Sequence, residues 1–161
     1  MHREAPAKGE IVVFNRSHYE DVLIVRVHKW ITEATCKQRY RQINEFERML
    51  AESGTLVLKF YLHISADEQR KRLQERVDKP EKRWKFNPKD LEERKLWDDY
   101  MKAYEQAISA TSTEWAPWYI VPANSKTHRN IVTSAVLKEA LESLKLSYPN
   151  VDWNPAEVHV S

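Results

Sequence analysis

Glycine is almost missing from this sequence, because only Gly9 and Gly54 occur among its 161 residues. Two glycines so far apart cannot supply a phosphate loop of the form Gly-x-x-x-x-Gly-Lys or a dinucleotide fingerprint of the form Gly-x-Gly-x-x-Gly. The sequence therefore contains no glycine-rich loop with which to hold phosphate groups.

Cysteine and long apolar runs are equally scarce. Cys36 is the single cysteine, so an internal disulfide is excluded, and without metal-ligand spacing around it we interpret it as an incidental helix residue. No apolar run approaches the roughly 20 residues that span a bilayer, and the stretch 1–6 has no signal-peptide core. We expect one soluble, cytoplasmic domain with no membrane partner.

Charge of one sign is not in excess either. The chain carries 26 Lys and Arg against 24 Asp and Glu, a formal net charge of +2. No field of the whole protein favours a polyanion, and we expect no nucleic-acid partner. Any anionic ligand has to be bound by a local patch.

The most informative stretch that is present is 10–21, where an apolar run leads into a dense polar cluster. We predict a buried strand over 10–14, because strands of parallel sheets are buried on both faces and read as continuous apolar runs. Ligands of such sheets lie beyond the carboxyl ends of the strands, where Asn15 to Asp21 follow. An ordinary strand that ends in a polar turn has the same pattern, so the pattern alone leaves function open.

The remaining elements alternate along the chain. We predict a helix over 35–53 with Gly54 as its C-cap, followed by a strand over 55–64 that is buried on both faces. The capping box of Ser65 and Glu68 predicts the start of a helix that ends at about 77. The later elements are a helix over 88–110, a strand over 118–121, a helix over 128–144 and a loosely packed tail beyond 147. The segment 22–30 fits a short helix or an extended connection. This alternation predicts an α/β fold with a parallel sheet and right-handed crossovers.

Polar clusters follow three predicted strands, at Asn15–Asp21, at His63 with Ser65, and at Asn124–Lys126. In a parallel sheet these clusters share one edge. The adjacent carboxylates Glu20 and Asp21 could hold Mg²⁺ or could complement a helix N-terminus. His18 could position a phosphate or cap the turn.

A basic link between two predicted helices, residues 76–89, is the other candidate. Its charged residues are Arg76, Lys79, Lys82, Arg83, Lys85 and Lys89 against Asp78 and Glu81. Beside Trp84 and Phe86, this local excess of cations suits a phosphate-rich ligand. A solvated charged hairpin is the alternative.

Long motifs in a fixed order carry a family resemblance. They are GEIVVFNRSHYEDVLIVRVH at 9–28, INEFERML at 43–50, KFYLHIS at 59–65, EQRKRL at 68–73, PEKRWKFNPKDLEERKLWDDYMKAYE at 80–105 and TSTEWAPWYIVPAN at 111–124. Together with the last helix they resemble the polyphosphate kinase 2 family from about residue 5 to residue 149. The FNRSHYED form is similar to the branch that phosphorylates AMP and ADP from polyphosphate.

The resemblance implies a three-layer α/β/α fold of the P-loop kinase type, with a domain over 1–149, a helical lid over 76–94 and a tail over 150–161. It implies a Walker B-like strand at 11–14, Mg²⁺ held by Asp21 and Glu20, polyphosphate and adenine nucleotides as ligands, and allows a homo-oligomer. The implied catalytic residues are Asn15, Arg16 and Asp21, and the implied substrate-binding residues are His18, Glu20, Arg76, Lys82, Arg83, Lys85, Arg94 and Lys126. A closing basic lid suits phosphoryl transfer, which depends on positioning and charge neutralisation.

The sequence departs from the family at two places. The family carries a phosphate loop before the first motif seen here, so we expect an N-terminally incomplete domain that cannot transfer phosphate alone. Asn124 to His128 stand where the family has a form like ADxKWYR, which puts ligand contacts at this turn in question. A polyphosphate- or nucleotide-binding module without catalysis, and an incomplete domain that aggregates, are the alternative hypotheses.

Overall fold

The computed structural model describes residues 4–148, 150–152, 154 and 157. The elements, in chain order, are a 3₁₀ helix His18–Val22, α1 Ile24–Val27, α2 Glu33–Glu52, β1 Lys59–His63, α3 Ala66–Asp78, a second 3₁₀ helix Pro80–Lys85, α4 Lys89–Lys95, α5 Trp97–Thr111, β2 Trp118–Pro122 and α6 Lys126–Ser143. Parts of the predicted domain and tail (1–3, 149, 153, 155, 156 and 158–161) lie outside the described residues.

Strands β1 and β2 pair in parallel, with Lys59 opposite Trp118 and His63 opposite Pro122. A parallel pair needs a long crossover, and α3, α4 and α5 supply it. The predicted α/β class with a parallel sheet is therefore confirmed.

The core lies where α2 and α5 meet the 3₁₀ helix His18–Val22. Tyr19, Val22 and Leu23 are buried against Cys36 and Tyr40 of α2, and small residues of α5 close the cluster. The predicted helix forms as α2, with Tyr40 and Ile43 of its apolar face buried and Met49 47% exposed, and Gly54 directly follows its C-cap residue Ser53. Gly54 has φ +87°, a conformation that costs glycine little, and the Thr55 amide donates to the Leu50 carbonyl.

The predicted strand over 10–14 is wrong in this structure. Residues 10–14 form no strand, and their apolar side chains are open to solvent: Ile11 is 71% exposed and Val13 is 87% exposed. The physical reason is the absence, within the described part of the chain, of neighbouring strands against which this run could be buried. The Walker B-like strand that the family resemblance implied at 11–14 is therefore wrong as well. The segment 22–30, which fitted either a short helix or an extended connection, contains the end of the 3₁₀ helix and α1.

Three other predicted elements need adjustment. The strand expected over 55–64 is shorter and only half-buried, since Leu62 is 47% exposed. The helix expected over 88–110 breaks at Leu96 (φ −93°, ψ 18°) into α4 and α5. Only half of the capping box forms: Ser65 Oγ accepts from the Glu68 amide, while the Glu68 carboxylate accepts from Arg72 at 2.7 Å.

Candidate functional site

The carboxyl ends of β1 and β2 are joined by side chains, so two of the three predicted polar clusters meet, whereas the cluster at Asn15–Asp21 follows no strand. The Ser65 amide donates to Asn124 Oδ1 at 2.9 Å, and the Asn124 amide nitrogen lies 3.3 Å from Ser65 Oγ. Arg72 of α3 donates to the carbonyls of Ala123 and Asn124. Lys126 starts α6 just beyond this point and is exposed. We call the region formed by Asn15–Asp21, His63–Ser65 and Asn124–Lys126 the polar edge.

In the turn Asn15–Asp21, the central residues are fixed by a cap and by burial, and the flanking residues are exposed to solvent. Ser17 caps the 3₁₀ helix by accepting from the Tyr19 amide, and the Tyr19 side chain is buried. Arg16 has φ 68°, a left-handed conformation that is uncommon for a residue with a side chain and is found at functional turns. Asn15 and Asp21 are exposed, and Glu20 is half-exposed 3.9 Å from Arg16.

A buried ion pair beneath this turn holds it on the sheet. Lys59 Nζ donates to Glu47 Oε2 at 2.6 Å, to the Tyr19 hydroxyl at 3.0 Å and to the Thr111 carbonyl at 2.7 Å. The Tyr19 hydroxyl donates to Glu47 Oε1 at 2.8 Å. Because Glu47 is 1% and Lys59 7% exposed, each charge depends on the other for its stability.

Burial within this group shifts the pKa values of Lys59 and Tyr19, and His18 lies beside the same residues. Burial lowers the pKa of the Lys59 ammonium, and Glu47 opposes that shift. Burial, reinforced by Glu47, raises the pKa of the Tyr19 hydroxyl, so the phenol stays protonated and remains a donor. His18 Nε2 lies 3.5 Å from Glu47 Oε1, next to the same buried pair. Tyr19 therefore links the turn to Glu47 and Lys59 through its hydroxyl.

Aromatic side chains connect α5 with the end of β1. The Tyr61 and Tyr104 rings lie 4.7 Å apart, and the Tyr61 hydroxyl lies 3.3 Å from His63 Nδ1. Burial raises the pKa of Tyr104, and the charge of nearby Glu20 raises it further while Arg16 lowers it. The observed aromatic contacts thus join Tyr104 of α5 to Tyr61 and, through it, to His63 at the end of β1.

The predicted lid, 76–94, contains the end of α3, the 3₁₀ helix Pro80–Lys85 and nearly all of α4, and α3 and α4 together form a helical hairpin. At its open end Arg76 lies 3.3 Å from Asp90, and at its base Arg94 donates to the Ala66 carbonyl (2.8 Å) and to Gln69 Oε1 (2.7 Å). The antiparallel helices therefore start and end beside the polar edge. Arg94 lies at the base and holds it closed, which is a structural role that sequence reasoning did not foresee.

The basic tip of the hairpin, residues 80–85, lies at the far end of α3. Thirteen helical residues separate it from the edge by roughly 20 Å. Lys82 Nζ contacts Glu75 Oε1 at 2.6 Å, Arg83 Nε donates to the Val77 carbonyl, and Lys85 Nζ lies over the Trp84 ring. The structure therefore brings Ser65 and Asn124 together and holds Lys82, Arg83 and Lys85 at the other end of α3.

Sequence reasoning missed Glu47 and Lys59. A signal for Lys59 was available, because it is a lone lysine inside an otherwise apolar and aromatic run at 55–64. A charge at such a position needs a partner, although the sequence does not say which residue provides it. Glu47 carries no comparable signal, since acidic residues are common along α2.

Comparison with known proteins identifies the family of this arrangement. The sequence profile described as Polyphosphate kinase 2 (PPK2) matches residues 1–149. The chain belongs to the polyphosphate kinase 2 family. It is 60% identical over 149 residues to an AMP/ADP-polyphosphate phosphotransferase of Meiothermus ruber, covering 92% of this chain and 56% of that protein. It is 50% identical to an ADP-polyphosphate phosphotransferase of Rhodopseudomonas palustris, covering 91% of this chain and 55% of that protein.

A solved structure of the polyphosphate kinase 2 family agrees with the fold. The crystal structure of polyphosphate kinase 2 from Arthrobacter aurescens TC1 matches with a TM-score of 0.94 at 50% identity, covering 96% of this chain and 55% of that one. The chain thus spans about half the length of the polyphosphate kinase 2 relatives it matches. Among the described residues no helix is long and apolar enough to cross a membrane.

Proposed function

We propose that this chain provides one wall of a site that transfers phosphoryl groups between polyphosphate and adenine nucleotides. The single observation that carries the proposal is the helical hairpin, which presents Lys82, Arg83 and Lys85 at one end and joins the polar edge at the other. The relatives named as AMP/ADP- and ADP-polyphosphate phosphotransferases support the same substrates.

The roles that we propose for the individual residues follow from their exposure and charge. Arg83 and Lys85 are exposed, so their charges are available to a polyanion, and Lys82 and Arg76 can exchange their acidic partners for phosphate oxygens. At the edge, Arg16 and Lys126 offer exposed donors and Asn15 offers an exposed amide, whereas His18 Nε2 is buried beside Glu47. Because hydrolysis competes with transfer wherever water reaches the phosphate, closure of the hairpin over the edge would exclude water from the reacting groups.

The donor chemistry of the turn fits Mg²⁺. Glu20 and Asp21 are adjacent carboxylates, Asp21 is exposed, and no contact of its carboxylate is found within the described part of the chain. That part contains no group of three or more His, Cys, Asp or Glu side chains placed to hold a metal. Glu20 and Asp21 would therefore anchor the ion while phosphate oxygens and water complete its shell. When bound, the ion would neutralise charge on the phosphates.

Direct binding tests the proposal. We expect the chain to bind medium-length polyphosphate with an affinity that falls as salt rises, and Arg83→Ala with Lys85→Ala to weaken binding about tenfold or more. The matched control removes two exposed cations outside the lid, Arg48 and Lys138, and should change binding less than twofold. Isothermal titration calorimetry measures both. Equal losses in the two double variants, or no binding by the parent chain, would contradict the proposal.

A further inference from the structure

The Glu93 carboxylate joins α4 of the hairpin to the body of the molecule, by which we mean α1, α2, α5 and the sheet. His28, which directly follows α1, places Nε2 3.0 Å from each Glu93 oxygen, and the Tyr100 hydroxyl of α5 donates to Glu93 Oε2 at 2.7 Å. An ionised carboxylate only accepts hydrogen bonds, so His28 carries a proton on Nε2 and both partners donate to Glu93. Three helices are therefore connected through one side chain.

Donors and acceptor are well defined in this cluster. Hydrogen bonds from Tyr100 and His28 lower the pKa of the Glu93 carboxyl against the opposing effect of burial, so the carboxylate stays charged. Burial, reinforced by Glu93, raises the pKa of the Tyr100 hydroxyl, which therefore stays a donor. The His28 ring also stacks on the Trp30 ring, with centroids 4.9 Å apart and planes inclined by 22°. The stacking restricts the imidazole to the orientation in which it meets Glu93.

Glu93 lies directly before the break between the two helices α4 and α5. The break is at Leu96, which has φ −93° and ψ 18°, and Tyr100 lies one turn beyond it in α5. The hydrogen bond from Tyr100 to Glu93 therefore spans the break. A few residues at the end of a helix can absorb a change of direction, so a side-chain contact across such a break fixes the angle between the helices.

The two helices of the hairpin are attached to the rest of the chain in different ways. Arg72 of α3 donates to the carbonyls of Ala123 and Asn124 at the end of β2, so α3 is fixed at the polar edge. Arg94 joins α4 to α3, because it donates to the Ala66 carbonyl. Among the side-chain hydrogen bonds and ion pairs of the described residues, those of Glu93 attach α4 to the body. The position of α4 therefore depends on this carboxylate.

We propose that Glu93 is a positioning residue, which fixes the angle of the helical hairpin to the body and thereby the place of the basic tip relative to the turn Asn15–Asp21. His28 relates the hairpin to the turn, because the helices His18–Val22 and Ile24–Val27 connect the two in one continuous segment. This positioning role rests on the proposed function of the hairpin, but it is measurable without any ligand.

Distances between two spin labels test the positioning role in the full chain. One label is attached at the tip through Glu81→Cys and the other on α2 through Glu45→Cys, both at exposed positions, while Cys36 is buried and stays unlabelled. Pulsed electron paramagnetic resonance then gives the distribution of tip-to-body distances. We expect one narrow distribution for the parent. In Glu93→Ala the population at the parent distance, relative to all others, should fall about fivefold or more, because hydrogen bonds to a charged group are lost.

The adjacent residue supplies the matched control. Glu92→Ala removes an exposed carboxylate whose pair with Lys95 lies within α4, and it should leave the distribution unchanged. His28→Ala and Tyr100→Phe each remove one donor to Glu93 and should broaden the distribution in part. His28→Ala combined with Glu93→Ala should add little to Glu93→Ala alone, because both changes remove the same contact.

Stability measurements separate positioning from a contact that only stabilises the fold. Equal distributions for Glu93→Ala and Glu92→Ala, or additive effects of His28→Ala and Glu93→Ala, would overturn the proposal. A Glu93→Ala chain that unfolds at lower urea but keeps the parent distribution would overturn it too. If Glu93→Ala does not fold, His28→Ala and Tyr100→Phe decide by the same distances. No sample contains polyphosphate, so a failure here is distinct from a failure of polyphosphate binding in the calorimeter.

Discussion

At the scale of single residues, Glu47 and Lys59 set the position of the whole turn. Two opposite charges in a buried environment are stable only as a hydrogen-bonded pair, and this pair connects α2, β1, α5 and the turn through Tyr19 and Thr111. Trp118 extends the network, because its indole nitrogen donates to Thr111 Oγ1 at 2.9 Å. Half-exposed Glu20 and exposed Asp21 follow Tyr19 directly in the chain, so their placement depends on the contacts of Tyr19.

Breaking the pair from one side should therefore be costly. We expect Glu47→Ala to lower the free energy of unfolding by about 3–5 kcal/mol, because it leaves the Lys59 ammonium buried without a counter-charge. Urea unfolding followed by circular dichroism measures the loss. Glu52→Ala on the same helix, which removes an exposed carboxylate 3.8 Å from Arg48, should cost about 0–1 kcal/mol.

The double replacement Glu47→Leu with Lys59→Met separates charge from packing. Apolar side chains of similar size in place of a buried pair are often neutral or stabilising, so most of the stability should return. A loss below about 1 kcal/mol for Glu47→Ala alone would mean that the pair is not buried in solution.

At the scale of elements, a bound polyanion has to replace the Glu75 carboxylate of α3 as the partner of the lysines at the basic tip. Glu75 Oε1 lies 2.6 Å from both Lys79 Nζ and Lys82 Nζ, so this carboxylate competes with phosphate for the same cations. We expect Glu75→Gln to strengthen polyphosphate binding about twofold to fivefold. Glu92→Gln, which removes the same charge from a pair with Lys95 in α4, is the control and should have little effect on calorimetric affinity. Equal gains would indicate a general effect of net charge.

The pH dependence of this contact has a defined sign. Hydrogen bonds from Lys79 and Lys82 lower the pKa of Glu75 from its usual 4.5 to about 2. The folded-state pKa is thus depressed, so the stabilisation is complete above pH 4.5 and is lost as the pH falls from 4.5 to about 2. Carboxyl ¹³C NMR titration should give a midpoint near 2 that moves towards 4.5 in 1 M salt, since screening weakens exposed pairs. A midpoint near 4.5 at low salt would contradict the contact.

The helices were the most predictable elements. Apolar residues at helical spacing and a glycine cap predicted α2, and the serine cap of α3 was correct at its amide contact. The break at Leu96 was not predictable, because α4 is held against α3 by Arg94 while α5 packs on α2. Those are tertiary contacts with no local sequence pattern. Residues 10–14 fail for a different reason: the strand pattern is present, but the described residues contain no strand that pairs with it.

At the scale of the whole molecule, the charges that matter for the candidate site are local. A net charge of +2 gives no overall attraction for polyanions, whereas five of the six residues from Pro80 to Lys85 are charged or aromatic and only one of them is acidic. The meeting of Ser65 with Asn124 was predictable from the shared position of two strand ends, whereas the strand expected before Asn15–Asp21 does not form. The support of that turn by Glu47 and Lys59 was not predictable, since pairing across a fold is decided by packing.

Catalysis depends on the whole molecule, because phosphoryl transfer needs hydrogen-bond donors and positive charge on every side of the transferred group. The described residues provide a basic hairpin, an open pair of carboxylates and a polar edge, and the sequence contains no glycine-rich loop to hold the phosphates from the opposite side. We therefore expect no polyphosphate-driven phosphorylation of ADP or AMP by the isolated chain with Mg²⁺, measured by ³¹P NMR. The full-length Meiothermus ruber relative, assayed in parallel, controls for the conditions, and measurable turnover by the chain alone would show that one wall suffices.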